Sequence, residues 1–246
     1  MESKIRLTKM SRTGLFLSFA FLLLFLASSA EGETFASVPL YISGEPEGIL
    51  SIDQPSGSNV ESVVIASNEQ DQGAFREIGR WITGSLDVSS NLSGDLSGNT
   101  WVSSNRDATV NIRYTIIQDD NNLAIFEFQD VVTAGDTIEI TGSSNIELTN
   151  IDTSPLTLLI EASWTAQAGS PPPGDEDGDG FPDNTSIVME YGSSSRNTGV
   201  EVSISHVQIR NGGEPFVNEG QSEVTVYIRV YSAFGVDEIL SNNKGS

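Results

Sequence analysis

The sequence has 246 residues and no cysteine, and its 34 Asp and Glu against 12 Lys and Arg give a formal net charge of −22. So acidic a chain repels the phosphates of nucleic acid and anionic membrane surfaces, which excludes nucleic-acid partners. Without disulfides a fold must be held by its own apolar core, and this length suffices for one large β domain or two small ones.

The first 30 residues are typical of a secretory signal peptide, with four basic residues, an uncharged run rich in Leu and Phe at 14–27, and small residues at 28–30. At ~1.5 Å per residue that run spans about 21 Å, which is less than the ~30 Å bilayer core. We therefore expect cleavage, no stable membrane insertion afterwards, and a secreted or cell-surface protein. A retained anchor is the alternative.

The rest of the chain shows the period-two alternation of half-buried strands. Strands are predicted within 38–42, 49–52, 60–65, 82–88, 110–116, 138–140, 156–164, 200–204 and 224–230. Clusters of Gly, Ser, Asn and Asp at 89–99, 118–122 and 210–215 predict turns, and Asp119 to Asn122 form the tip of a predicted hairpin. No segment after the signal peptide keeps a helical period, so residues 31–246 are predicted to form an antiparallel, jelly-roll-like β-sandwich.

A Pro-rich and acidic segment at 167–186 is the one marked break in composition. It lies between two alternating segments, so it is either a long loop at one end of a single sandwich or a linker between two β domains. Both arrangements fit the sequence.

Within that segment, "GDEDGDGFPDN" places acidic residues at regular intervals. Asp175, Asp177 and Asp179 alternate, Gly180 follows, and Asp183 comes four positions after Asp179. In the calcium loop of an EF-hand, oxygen ligands come from positions 1, 3 and 5, Gly at 6 allows the turn, and positions 7 and 9 complete the set. This register predicts a calcium site whose ligands are Asp175, Asp177, Asp179, the Phe181 carbonyl and Asp183.

These nine residues resemble the calcium-binding repeats of the thrombospondin type 3 family and related acidic stretches of exported microbial proteins. The resemblance implies calcium as the cofactor, although the chain has a single copy of the loop and Ser186 in place of the bidentate Glu. Hard oxygen ligands argue against zinc or copper. A solvated acidic linker that binds no ion is the alternative.

The three tryptophans suggest a second kind of site, because sugars stack on exposed aromatic rings. Trp164 shares the parity of Leu158 and Ile160 and is predicted to be buried. Trp81 has the opposite parity to Ile82, so it is the predicted platform for a polysaccharide. Trp101 is not assigned by parity.

Catalytic motifs are few. His206, the single histidine, lies where the alternation changes parity, which predicts a β-bulge near Ser205, but no nucleophile elbow accompanies it. The sequence therefore favours a non-catalytic exported protein with a calcium-binding loop and a binding or structural role. A carbohydrate-binding module, a surface-layer or filament subunit that exchanges residues 31–42 between copies, and a hydrolase are the alternatives.

Overall fold

The computed structural model describes residues 2–6, 35–66, 72–169, 185–205, 210–211, 225–229 and 233–234. All regular secondary structure in these ranges is β-strand, so the predicted all-β class is confirmed. Nowhere in them is there a helix with the length and apolar character needed to span a membrane.

The strands follow one another along the whole described chain. They are β1 (Glu2–Arg6), β2 (Phe35–Ser43), β3 (Ile49–Ser51), β4 (Glu61–Ala66), β5 (Arg76–Ile82), β6 (Ser90–Ser104), β7 (Ala108–Gln118), β8 (Asn121–Val132), β9 (Thr137–Ile151), β10 (Thr157–Ala166), β11 (Ile187–Tyr191), β12 (Gly199–Ser205), β13 (Arg210–Asn211) and β14 (Thr225–Arg229). Strands β1, β14 and β13 form a small antiparallel sheet, and β1 lies in the predicted signal peptide.

Eleven strands make the main sheet, in the order β4-β11-β6-β12-β2-β3-β5-β10-β7-β8, with β9 also paired to β6. All pairs are antiparallel except β3 with β5, which meet in parallel at Ile49 and Ile82. Strands β11 and β12 pair with successive parts of one edge of β6, and β9 takes the other edge. Segment 167–186 connects β10 and β11, which are both strands of this sheet.

The main sheet is not closed, and its two halves face each other across one apolar core. Trp81 of β5 packs edge-on against Tyr191 of β11, with ring centroids 5.5 Å apart. The Tyr114 hydroxyl of β7 lies 2.6 Å from Thr100 Oγ1 of β6. One layer therefore holds β2, β6, β9, β11 and β12, the other holds β5, β7, β8 and β10, and the predicted antiparallel sandwich is confirmed.

Two glycines admit aromatic rings from the opposite layer. A Cβ on Gly98 of β6 would lie 2.9 Å from a ring carbon of Tyr114, and one on Gly142 of β9 would lie 2.2 Å from Phe128 Cβ. Tyr114 also packs edge-on against Phe126 and Phe128, with centroids 5.5 and 5.1 Å apart. These glycines are required because larger residues would push the two layers apart.

The strongest alternations of the sequence form the core as predicted. In β7 the buried residues are Val110, Ile112, Tyr114 and Ile116, and in β10 they are Leu158, Ile160, Ala162 and Trp164. The hairpin between β7 and β8 is also confirmed, with a shorter tip than predicted. Only Asp119 and Asp120 form the turn, with φ of 49° and 64°, the backbone conformation that two-residue hairpins require.

The prediction of turns at 89–99 is wrong, because β6 runs from Ser90 to Ser104. Leu92, Leu96 and Gly98 point into the core, and Ser93, Asp95 and Ser97 between them point outward. A register shift between Leu92 and Gly94 places an extra residue in the partner strand β9, so Ile146 and Ile151 both face the core although they differ in parity. In β6, residue types that are common in turns lie on the solvent-facing side of a central strand.

Candidate functional site

A polar groove lies on the outer face of the layer that contains β2, β12, β6 and β9. Its volume is ≈ 570 Å³. The lining residues are Pro39, Leu40, Tyr41, Ser97, Gly98, Asn99, Thr141, Gly142, Ser143, Asn197, Gly199, Val200 and Glu201. A second hollow of ≈ 350 Å³ shares Ser97, Ser143 and Glu201 with it and adds Ser37, Asp95 and Leu96, so the two are continuous.

Strand pairing arranges the groove side chains in two rows across the sheet. One row runs from Pro39 through Glu201 and Ser97 to Ser143. Side chains opposite one another in antiparallel strands have Cβ atoms about 5 Å apart, so each row spans roughly 15 Å. That width suits a ligand that lies across the strands.

The second row runs from Tyr41 through Gly199 and Asn99 to Thr141. Gly199 has no side chain, so backbone forms the floor between the Tyr41 ring and Asn99. A Cβ at this position would lie 2.3 Å from the Leu40 carbonyl oxygen, which explains why glycine stands there. The gap widens the groove beside the aromatic ring.

Glu201 lies in the middle of the groove and accepts hydrogen bonds from both neighbouring strands. The Ser37 hydroxyl of β2 donates to Glu201 Oε1, and the Ser97 hydroxyl of β6 donates to Oε2 at 3.3 Å. Partial burial, together with the negative charge of Glu201, raises the pKa of Tyr41 above its usual value. The carboxylate is thus held in place by two hydroxyl groups and remains exposed to solvent.

Asn99 joins the groove to the adjacent loop and to the core. Its Nδ2 donates to Glu139 Oε1 at 2.8 Å and to the Asn197 carbonyl at 3.0 Å. From the core side, the Tyr114 hydroxyl donates to the Asn99 carbonyl at 2.9 Å. Burial raises the pKa of Tyr114, so this hydroxyl keeps its proton at neutral pH. The backbone of the groove at Asn99 is therefore fixed from inside the sandwich.

The predicted calcium ligands Asp175, Asp177, Asp179, Phe181 and Asp183 lie outside the described residues, and so does His206. Across the parts of the chain that are described, no three His, Cys, Asp or Glu residues are grouped so that they could hold a metal. The calcium site stays a prediction.

Both ends of the acidic segment are attached to one turn, the three residues 105–107 between β6 and β7. Gln167 N donates to the Asp107 carbonyl at 3.0 Å. Ser186 N donates to Asn105 Oδ1 at 2.7 Å, and Asn105 N donates to the Ser186 carbonyl at 3.1 Å. The two ends of the segment are thus held together at the turn that follows the C-terminal end of β6. Asn99 lies six positions before Asn105 of this turn, or about 20 Å along the strand.

The prediction that Trp81 is an exposed platform for a sugar is wrong. Its side chain is 0% exposed and packs against Tyr191 in the core. The alternation does not continue from Trp81 to Leu86, because β5 ends at Ile82 and residues 83–89 are irregular. Alternation fixes the face of a residue only within one strand, and in β5 it is Ile82 that faces solvent.

The other two tryptophans differ in position. Trp164 is buried as predicted. Trp101 lies on the outer face of β6 and is partly buried, because the Arg196 guanidinium lies 4.4 Å from its ring centroid. Arg196 is held there by Glu190 Oε2, 2.9 Å from its Nε. Because Arg196 covers the Trp101 ring, Tyr41 is the aromatic residue that lines the groove.

The fold and the groove together define an all-β sandwich with a polar groove on one outer face. No protein-family model matches the sequence, and no curated protein sequence matches it. Several solved structures show weak likeness in fold.

Among these structures is a CocE/NonD family hydrolase from Staphylococcus aureus, with 12% identity, a TM-score of 0.45, and coverage of 69% of this chain and 36% of the hydrolase. An aminopeptidase from a marine sediment archaeon of the Thaumarchaeota has 10% identity, a TM-score of 0.43, and coverage of 69% and 37%. The structure of infectious bursal disease virus has 12% identity, a TM-score of 0.29, and coverage of 82% and 48%. The chain spans about a third of the length of the two enzymes, and no property of theirs is carried over to it.

Proposed function

We propose that this chain is an exported, non-catalytic binding module that holds a carbohydrate chain in the outer-face groove. The carrying observation is the groove itself, which serine and threonine hydroxyls, asparagine amides and the Glu201 carboxylate line together with Tyr41. Sugar hydroxyls both donate and accept hydrogen bonds, and these side chains offer partners of both kinds. A tyrosine ring adds an apolar surface against which a sugar ring can stack.

One feature of the groove favours binding over turnover, namely the hydrogen bonding of its central carboxylate. Glu201 already accepts two serine hydroxyls. We therefore expect bound oligosaccharides to be recovered uncleaved.

The test is calorimetric titration of the mature chain with soluble hexasaccharides of glucose, N-acetylglucosamine, glucosamine and galacturonate. Loss of ring stacking in Tyr41→Ala should weaken binding about three- to tenfold, whereas Tyr41→Phe keeps the ring and should retain most of the affinity. Asp120→Asn, at the tip of the β7–β8 hairpin, is the control away from the groove. Failure of all four hexasaccharides to bind, or an unchanged affinity in Tyr41→Ala, would contradict the proposal.

We further propose that segment 167–186 binds one calcium ion through the ligands predicted above. The attachment of both ends to one turn supports this, because fixing both ends of the segment lowers the entropy cost of bringing its ligands together around one ion. Calcium sites of extracellular modules have dissociation constants of about 10⁻⁴–10⁻³ M, so ~10 mM calcium should stabilise the fold by about 1.4–2.7 kcal/mol.

The measurement is thermal unfolding of chelator-treated protein with calcium or magnesium added, together with calorimetric titration. The Asp177→Asn, Asp179→Asn double variant should lose both the heat of binding and the stabilisation by calcium. If 10 mM calcium leaves the wild-type chain unchanged, the segment is a solvated acidic loop.

A further inference from the structure

The charged side chains of the groove all have the same sign. Glu201 and Asp95 line it, and Glu139 is bonded to Asn99 at its border, whereas no Lys or Arg is present among the lining residues that the structure describes. The chain as a whole carries a formal net charge of −22, so its overall field adds to the negative potential of the groove. A ligand with carboxylate, sulfate or phosphate groups would be repelled at close range.

The Glu201 carboxylate has unused hydrogen-bonding capacity. An ionised carboxylate offers about four acceptor positions, and Ser37 and Ser97 occupy two of them. The remaining positions can accept from a ligand, and an ammonium group would supply up to three donors together with the opposite charge. Hydrogen bonds between ionised partners are about twice as strong as neutral ones.

Asp95 places a second carboxylate in the same hollow as Glu201. Asn145 Nδ2 donates to Asp95 Oδ1 at 3.2 Å, which leaves Oδ2 for a ligand. Since Asp95 lies on β6 two residues before Ser97, the Cα atoms of these two residues are about 7 Å apart along the strand. Two carboxylates along a groove of this length can meet amino groups on separate sugars of one chain.

We infer that the groove takes a glycan whose sugars carry protonated amino groups, such as a glucosamine oligomer, in preference to neutral and acidic glycans. This inference rests on the proposed function and names the class of ligand for the same site. A charge-assisted hydrogen bond adds roughly 1 kcal/mol over a neutral one, so the preference for the amine over its N-acetyl form should be about five- to tenfold. The groove is open to solvent, so salt should weaken the preference.

The experiment compares glucosamine, N-acetylglucosamine and galacturonate hexamers by calorimetry at pH 5.5, on the acid side of the titration of the sugar amine. N-acetylation removes the charge and keeps the sugar ring, so this pair isolates the charge. Glu201→Gln should lower affinity for the amine hexamer more than affinity for the N-acetyl hexamer, and so remove most of the preference. Asp120→Asn, which removes the same charge elsewhere, should change neither affinity. Thermal unfolding of each variant checks that the fold is intact.

The outcomes separate this inference from the proposed function. Equal binding of the amine and N-acetyl hexamers, or tight binding of galacturonate, would overturn the preference while carbohydrate binding stands. No binding of any hexamer would overturn both. A lysine hexapeptide that binds as tightly as the amine hexamer, with the same loss in Glu201→Gln, would show that charge alone selects the ligand and would overturn the assignment to a glycan.

Discussion

Replacing Tyr114 by Phe tests whether the core fixes the groove. The change removes one hydroxyl that donates to the Asn99 carbonyl at 2.9 Å and lies 2.6 Å from Thr100 Oγ1, with both Tyr114 and Thr100 buried. A buried polar group left without its partner costs about 1–3 kcal/mol, and the Thr100 hydroxyl can rotate towards another acceptor. We therefore count one full penalty and expect a loss of about 2 kcal/mol in the free energy of unfolding.

For a domain of this size, about 2 kcal/mol corresponds to a fall of roughly 4–8 °C in Tm. Urea unfolding followed by tryptophan fluorescence measures the free energy, and calorimetry measures Tm. Tyr41→Phe removes a hydroxyl from the exposed groove and should cost less than about 0.5 kcal/mol. Equal stability of the Tyr114→Phe and wild-type proteins would refute the argument that this hydroxyl satisfies groups of the core.

Three further changes follow from the packing and the buried hydroxyls. Burial raises the pKa of Tyr191 to about 12 and also raises the pKa of Tyr114, whereas tyrosines of the unfolded chain lose their protons near pH 10. The free energy of unfolding should therefore keep this contribution below pH 10 and fall above it. Tyr114→Phe should reduce the slope of that fall, measured by urea unfolding at several pH values. Gly142→Ala would place a Cβ 2.2 Å from Phe128 Cβ and should cost about 1–3 kcal/mol or more, with lower expression or Tm as the measure. Trp81→Ala empties a core position and should cost about 3–5 kcal/mol, so any loss of ligand binding in this variant should follow the loss of fold seen by circular dichroism.

Regular alternation made the core strands predictable. In β7 apolar residues occupy every second position from Ala108 to Ile116, and in β10 they do so from Leu158 to Ala166. The two strands also pair in register from Thr157 opposite Ile117 to Ala166 opposite Ala108. One register alone places both apolar faces in the core, since a shift by one residue would turn one of them to solvent. The class of fold follows from such strands.

The groove was not predictable in the same way, because its main strand has the composition of a loop. β6 contributes Ser97, Gly98 and Asn99, residue types that are typical of turns. They form a strand here because β9 and β12 pair with both of its edges, and partners so distant in the chain leave no local signal. Strand propensity depends on neighbours in space, so a central strand made of small polar residues is not predicted from the sequence.

The position of β2 decides how the filament hypothesis can be tested. That hypothesis has residues 31–42 exchanged between copies, but β2 lies between β12 and β3 and buries Val38, Leu40 and Ile42 in the core of its own chain. Truncation would therefore unfold the sandwich and abolish fibres for a reason unrelated to exchange. A disulfide that locks β2 in place separates the two causes.

Ser37 of β2 and Ser203 of β12 are direct partners in antiparallel register, and the chain has no cysteine of its own. Opposed Cα atoms in such pairs are about 4.5–5.5 Å apart, within the range that a disulfide spans. If fibres form by exchange of β2, the oxidised Ser37→Cys, Ser203→Cys variant should remain monomeric at concentrations at which its reduced form assembles. Fibres that form equally in both states would exclude exchange of β2, since a strand bonded to its own chain cannot pair with another copy.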